Sequence, residues 1–414
     1  MTKPFRSLTV AFLAVLAFGL LPQSACAKDV IKIGALLSLT GDWSTLGLAS
    51  QASLEIATDR INDQWEAEGS KMRVTLLVED TQLNPDLAVT KFKALIQKGV
   101  RVVIGPQSSA EIAAIKPLAD ANGILVISQG STASSLAIEG DAIFRLVPTD
   151  IHEGEAVAAL MHSDGIEKVV PIWRNDAGNG GLKISTLAAF QTLGGTGLAG
   201  VTYNGTEADF ADEVTALAAQ VTAAKDGGSA VAVYIASFDE GITILAQADN
   251  FPVLKSVRWY SGDGLTLSTA LLANATAAGV ASTVQFTAPS LGLDPDASKL
   301  QNDLTALIQA KVGFAPDAFA LAAYDAGWLG ALAYRAASDS PWPAALANRA
   351  AQEKKFRQLK AAFTNAANRY WGAIAQTTLD SAGDLDHGNY DFWTVNAGTW
   401  THTSSYVNDK LIFP

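Results

Sequence analysis

Apolar and polar positions along this chain alternate between two periods. Short runs rich in β-branched residues cover 31–37, 72–78, 100–104, 124–127 and 142–146; between them 46–61, 87–97 and 110–122 repeat apolar side chains at helical spacing. Brief apolar runs bounded by turn formers predict strands, and a 3.6-residue period predicts helices. After Pro148 the alternation begins again, with helices predicted over 153–161, 182–193, 209–224 and 240–248 and strands over 168–173, 200–203, 230–235 and 256–260. Strands separated by helices imply a parallel sheet with crossover connections. Two successive sets imply an α/β chain of two doubly wound parallel-sheet lobes.

The last third changes character. A short extended segment at 283–289 precedes Ala-rich helical stretches at 297–312, 317–337 and 344–366, which must break at Pro341-Trp342-Pro343. Residues 390–395 and 399–403 flank Asn396-Ala397-Gly398, a turn composition that favours a hairpin. Helices without a sheet of their own have to pack on an earlier lobe. The chain is therefore expected to cross between lobes more than once, lobe I taking 28–148 and 288–378, lobe II taking 149–287 and 379–414.

The N-terminus reads as a secretory signal over residues 1–27: Lys3 and Arg6, an apolar stretch over 8–21, then Ala25-Cys26-Ala27 before Lys28. Cys26 raises lipid anchoring as an alternative, but Gln23 stands where a lipoprotein signal has an aliphatic residue. Cleavage after Ala27 removes the chain's single cysteine, and with it any disulfide or thiol nucleophile. At 414 residues, 49% hydrophobic and 17% charged, the chain is globular. Its formal charge of −12, made more negative by loss of Lys3 and Arg6, argues against nucleic acid or an anionic membrane surface as partner. A periplasmic location is expected, with the membrane met only through a partner or an anchor at Cys26.

Candidate chemistry concentrates in residues 100–132, VRVVIGPQSSAEIAAIKPLADANGILVISQGST. Both apolar runs there end in small hydroxyl and glycine residues, Gln107-Ser108-Ser109 and Gln129-Gly130-Ser131-Thr132. Ligands of such sheets bind at the carboxyl ends of strands. Hydroxyl loops that open onto helix N-termini suit an anion such as a carboxylate.

These segments, with IKIGALLSLTG at the first strand, YSGDG at 260–264 and LDSAGDLDHGNY at 379–390, resemble the substrate-binding proteins of ABC importers. The likeness is to the type I periplasmic fold and, within it, to the leucine/isoleucine/valine-binding group. It runs from about Ile31 to the C-terminus. It implies two lobes joined by a multi-crossover hinge, an amino acid as ligand, permease subunits as partners, no cofactor and no metal. It also implies that Ser109 and Thr132 hold the ligand carboxylate, that the backbone at Gly130 accepts from the ammonium, and that Asp263 of the second lobe pairs with that ammonium on closure. A zwitterion leaving water needs donors at one end and acceptors at the other. Ser131 lies between the two first-lobe positions, Trp43 follows a strand-end loop and either stacks on a ligand or buries its ring between loops, and Ser237 with Phe238 stands at a family aromatic position.

Each residue also has a plainer reading: Ser109 as an N-cap, Thr132 as a loop hydroxyl, Asp263 as part of a Gly-Asp-Gly turn. Gly178 occupies another family aromatic position and Leu46 a place where Tyr occurs, so the pocket that selects the side chain is rewritten. An apolar or branched-chain-like amino acid is the expectation; an amide, urea or aromatic acid, or a role as a ligand-sensing receptor subunit, are the alternatives. Arg174 could face the cleft and select a second carboxylate, but most arginines are exposed and the expectation is a solvated surface residue. Asp380, Asp384 and Asp386 lack calcium-loop spacing and read as a hinge turn. Four histidines (His152, His162, His387, His402) show no metal-ligand spacing, and neither a nucleophile elbow nor a phosphate-cradling loop is present, so an enzyme is not expected.

Overall fold

The computed structural model describes residues 29–338 and 349–414. The signal segment with Cys26 and the proline break at 341–343 lie outside them. The first sheet holds five parallel strands in the order β2-β1-β3-β4-β5: β1 Asp29–Leu37, β2 Met72–Asp80, β3 Val102–Ile104, β4 Leu125–Ser128 and β5 Ile143–Arg145. β3 and β4 are buried throughout, which is why they read as unbroken apolar runs. Within those runs alternate residues serve opposite faces. Val103 and Val126 pack with Phe92, Leu95, Ile112 and Ile115 of α2 (Pro85–Gln97) and α3 (Ser109–Asn122). Val102, Ile104, Leu125 and Ile127 face α1 (Ser44–Ala67) and the helices Ala318–Ala336 and Arg349–Ala367. Gly330 lets Ala318–Ala336 lie against the sheet, since a Cβ there would sit 2.9 Å from Val102 Cγ1. The late Ala-rich helices do cover the earlier lobe.

The second sheet is mixed. Lys168–Arg174 (β6), Val231–Ala236, Arg258–Ser261 and Thr287–Leu291 run parallel, and Tyr390–Asn396, Thr399–Val407 and Lys410–Ile412 extend it antiparallel. The hairpin is thus an edge of the second sheet and gains a third strand. Strand Thr287–Leu291 pairs with both Arg258–Ser261 and Tyr390–Asn396, so the second crossing falls after residue 291, and the expected return to lobe I at residue 288 is corrected. Around this sheet lie α4 (Asp150–Ser163), α5 (Ala177–Thr192), α6 (Ala211–Lys225) and α7 (Gly241–Ala248).

Among the described residues, three segments of chain join the lobes, near 146–149, 292–293 and 379–389. They are tied together: Gly292 N donates to Asn389 O at 2.7 Å, Arg145 N to Gly383 O at 2.9 Å and Leu385 N to Arg145 O at 3.0 Å. Arg145 and Asp384, both fully buried, form a two-pronged ion pair within this hinge. Asp384 therefore has a structural partner, and no group of carboxylates or histidines among the described residues could hold a metal ion. No helix among them is long and apolar enough to cross a membrane.

Candidate ligand site between the lobes

The site forms where strands of both sheets end. Ser108, not Ser109, caps α3: its Oγ accepts from Glu111 N at 3.3 Å while Glu111 Oε2 accepts from the Ser108 N–H and hydroxyl. The N-cap reading of Ser109 is thereby corrected. Relieved of the cap, the Ser109 hydroxyl turns to the next loop, 3.0 Å from Ser131 Oγ and accepting from Ala133 N at 3.2 Å. Gln107 binds two further loops, its Nε2 donating to Trp43 O (2.9 Å) and its Oε1 accepting from Ser38 N (3.3 Å). Ser128 Oγ donates to Pro106 O (2.7 Å) and accepts from Ser131 N (3.0 Å). These bonds leave the hydroxyl-rich loops little freedom before any ligand arrives.

A cavity of about 20 Å³ lies between the lobes. Trp43, Ser108, Ser109, Gly130 and Thr132 line it from the first lobe; Gly178, Asn179, Leu182, Phe238 and Asp263 line it from the second. Six of the eight sequence-derived candidates therefore meet there. Ser131 stands one bond behind, through Ser109. Ser237 does not meet them: it is buried, its Oγ so near Gly241 that a Cβ there would come within 2.2 Å. Gly178 leaves the approach to Ser109 clear, since even a Cβ at this position would lie 3.5 Å from the Ser109 hydroxyl.

The lobes touch around the cavity. Trp43 stacks on Phe238 with ring centroids 4.5 Å apart and 28° between planes, and meets Phe319 edge-on at 6.3 Å. It adopts φ 59°, ψ 25°, a left-handed conformation that costs a bulky residue of order 1–3 kcal/mol. Its backbone is held at both ends, N donating to Asp239 Oδ2 at 3.0 Å and O accepting from Gln107. Its ring is thus buried between loops of the two lobes, and Trp43 also lines the cavity. A second cavity of about 20 Å³ lies on its far side, against Leu46, Ala49 and Thr266.

Arg174 is not a solvated residue, and that expectation is corrected. It is 14% exposed, pairs with Asp176 (3.0 Å) and Glu240 (3.1 Å) of its own lobe, reaches Asp42 of the other at 3.0 Å, and lies over the Phe238 ring at 5.3 Å. Glu240 is held in turn by Tyr203 Oη at 2.9 Å. Burial lowers the guanidinium pKa, but these carboxylates more than restore it.

Asp263 begins a 3₁₀ turn, its N–H donating to Glu153 Oε1 at 3.1 Å. Burial first, then the negative charge of Asp150, pushes its carboxyl up to about 7. Asp150 is likewise pushed up to about 7, mainly by burial, and Glu153 well above the usual carboxylate range by burial and by Asp263. No motif or spacing in the sequence marks Asp150, Asp42, Glu240 or Asn179.

A family model described as periplasmic binding protein matches residues 30–384. An uncharacterized protein of Methanocaldococcus jannaschii is 29% identical over 94% of both chains. The Leu/Ile/Val-binding protein homolog 1 of Brucella abortus is 28% identical over 77% of this chain and 80% of its own. Among solved structures, a branched-chain amino acid transporter substrate binding protein of Streptococcus pneumoniae, in complex with isoleucine, superposes with a TM-score of 0.71 at 21% identity, covering 93% of this chain and all of that one. At that identity the likeness establishes the fold, type I. From the match over residues 30–384, the chain belongs to the periplasmic binding protein family, whose members bind solutes rather than transform them.

Proposed function

We propose that this chain is the extracytoplasmic solute-binding component of an ABC importer, and that it carries an apolar, branched-chain-like α-amino acid to permease subunits in the membrane. The observation that carries the reading is that Ser109, Gly130 and Thr132 line one wall of a cavity whose opposite wall includes Asp263. In this reading the hydroxyls donate to the ligand carboxylate, the Gly130 carbonyl accepts from its ammonium, and Asp263 completes the ammonium site when the lobes meet. Only the closed form offers both ends, so ligand shifts the open–closed equilibrium by its extra affinity for that form. A micromolar Kd corresponds to about 8 kcal/mol, within reach of a few charge-assisted hydrogen bonds and one buried side chain. Secretion through residues 1–27 would place the protein in the periplasm.

A thermal-shift screen of the twenty amino acids, short amides, urea and aromatic acids tests this, because a ligand of the folded state raises Tm by mass action. An α-amino acid should give the largest rise, and Asp263→Ala should remove most of it. A larger response to urea, an amide or benzoate, undiminished in that variant, would overturn the reading.

A further inference from the structure

The second-lobe wall of the cavity carries a polar group that the two charged ends of an amino acid leave unused. Asn179 lies in the first turn of α5, borders the cavity and is 5% exposed. Its orientation is fixed from behind. The backbone N–H donates to Asp176 Oδ1 at 2.8 Å, and Nδ2 donates to both Asp176 oxygens, at 3.3 and 3.1 Å. Turned the other way, the amide would set its oxygen against a carboxylate. Asp176 is held in turn by Arg174 Nε at 3.0 Å, and Arg174 by Glu240 at 3.1 Å. The planar amide therefore gives Nδ2 to Asp176 and keeps Oδ1 at its other end as an acceptor, one that takes no hydrogen bond from the described groups.

The rest of that side of the cavity is apolar. Leu182 follows Asn179 one turn along α5, Gly178 adds no side chain, and Phe238 stacks on Trp43 of the first lobe. Nearby hydroxyls are committed elsewhere: Ser108 donates to Glu111 at 2.6 Å, and Ser109 meets Ser131 and Ala133 N. A ligand whose charged ends meet Ser109, Thr132, Gly130 and Asp263 has Trp43, Phe238, Leu182 and Asn179 left for its side chain. A wholly apolar side chain there would cover Oδ1 without giving it a donor, and a buried acceptor left unpaired is costly. A hydroxyl would satisfy it, while a methyl on the same carbon would meet Leu182 and the rings. The cavity, about 20 Å³, must widen for any amino acid, and it widens least for a short side chain.

We propose that Asn179 is a specificity-determining residue, whose Oδ1 accepts from a hydroxyl on the ligand's β-carbon, so that the protein selects threonine over valine and serine over alanine. The inference rests on the amino-acid reading of the site and refines its side-chain half: the branched shape stays, and a hydroxyl replaces one methyl of valine. Threonine and valine have nearly the same shape, so packing alone gives little preference between them. A site built to hydrogen-bond a ligand hydroxyl rejects the analogue lacking it far more strongly than an apolar pocket separates two side chains that differ by a methylene. Asp176 and Arg174 bear on this choice only through the amide they orient, as positioning residues.

Titration calorimetry of the purified protein with L-threonine, L-valine, L-serine, L-alanine and L-leucine reads the selection as ratios of Kd. Threonine should bind at least about tenfold tighter than valine, and serine should lead alanine by a similar factor. Asn179→Leu and, as a smaller change, Asn179→Ala should abolish the preference by weakening threonine while valine holds or improves. Valine bound by the wild type as tightly as threonine overturns the proposal whether or not either variant folds. Leucine bound where threonine is not, or a preference for threonine that survives in both variants, would likewise overturn the role of Asn179 while leaving the amino-acid reading intact. Failure of all five amino acids to bind would overturn that reading, and the selection with it.

Discussion

Arg174 and Asp42 belong to different lobes, so their ion pair contributes only when the lobes meet. Asp42→Asn removes this contact with little else. The partners are 14% and 34% exposed, which places the pair near the upper end of the 0.2–1 kcal/mol range for solvent-accessible pairs. A loss of about 1 kcal/mol in closure weakens ligand binding about fivefold. Arg174→Ala removes the same bridge and also strands Glu240, 8% exposed, and Asp176, while losing the contact with Phe238. Those losses fall on the second lobe whether the cleft is open or closed, and should cost about 2–3 kcal/mol of stability. The two variants should thus share a binding defect and differ in stability. Calorimetry with the amino acid of highest affinity gives the first quantity and urea unfolding the second, and the double variant closes the cycle. A coupling of about 1 kcal/mol in binding is expected. Zero coupling, or Asp42→Asn binding as tightly as wild type, would refute the bridge as a contributor to closure.

Neighbouring serines should behave differently: Ser108→Ala loses the α3 cap at about 1 kcal/mol of stability, whereas Ser109→Ala should weaken amino-acid binding at least tenfold with a smaller stability loss, both checked by urea unfolding and calorimetry. Asp384→Ala leaves Arg145 buried without its partner and should cost about 3–5 kcal/mol in chemical denaturation. The pH dependence of the ligand-free protein has a definite sign. A carboxyl whose folded pKa is raised favours the folded state at low pH, and that contribution is lost as pH rises through the folded value, here from about 4 through about 7 for Asp150. Asp150→Asn, which cannot titrate, should therefore gain stability relative to wild type between pH 4 and 8, measured by urea unfolding at each pH.

Much of this architecture is written in local sequence. β3 and β4 stand out because both faces are covered, so β-branched runs mark them without alternation, and the hydroxyl loops that follow set Ser109, Gly130 and Thr132 at one strand edge. The short helix Ala275–Thr283 is not legible in the sequence because its Ala, Thr, Ser and Gly residues carry almost no apolar period. The lobe of strand Thr287–Leu291 is hidden for a different reason: its pairing partners at Tyr390–Asn396 lie about a hundred residues away, and nothing local marks them. Long-range electrostatics were the least legible. An arginine reads as exposed by default, and only folding brings Asp42 and Glu240 to Arg174. Asp150 and Glu153 likewise look like ordinary acidic residues of a helix first turn, a common arrangement at the positive end of the helix dipole. Folding brings Asp150 to Thr132 and Glu153 to Asp263, contacts that no spacing rule encodes.

The whole account turns on an amino acid gripped at its two charged ends by opposite lobes. A crystal structure of the protein with the amino acid that gives the largest thermal shift tests this most directly. It should show the ligand carboxylate within hydrogen-bond distance of Ser109 Oγ and Thr132, its ammonium against Asp263, and Trp43 packed on Phe238 across the closed cleft. A cleft occupied by a molecule without an amino group, with the Asp263 carboxyl turned away from it, would contradict the account.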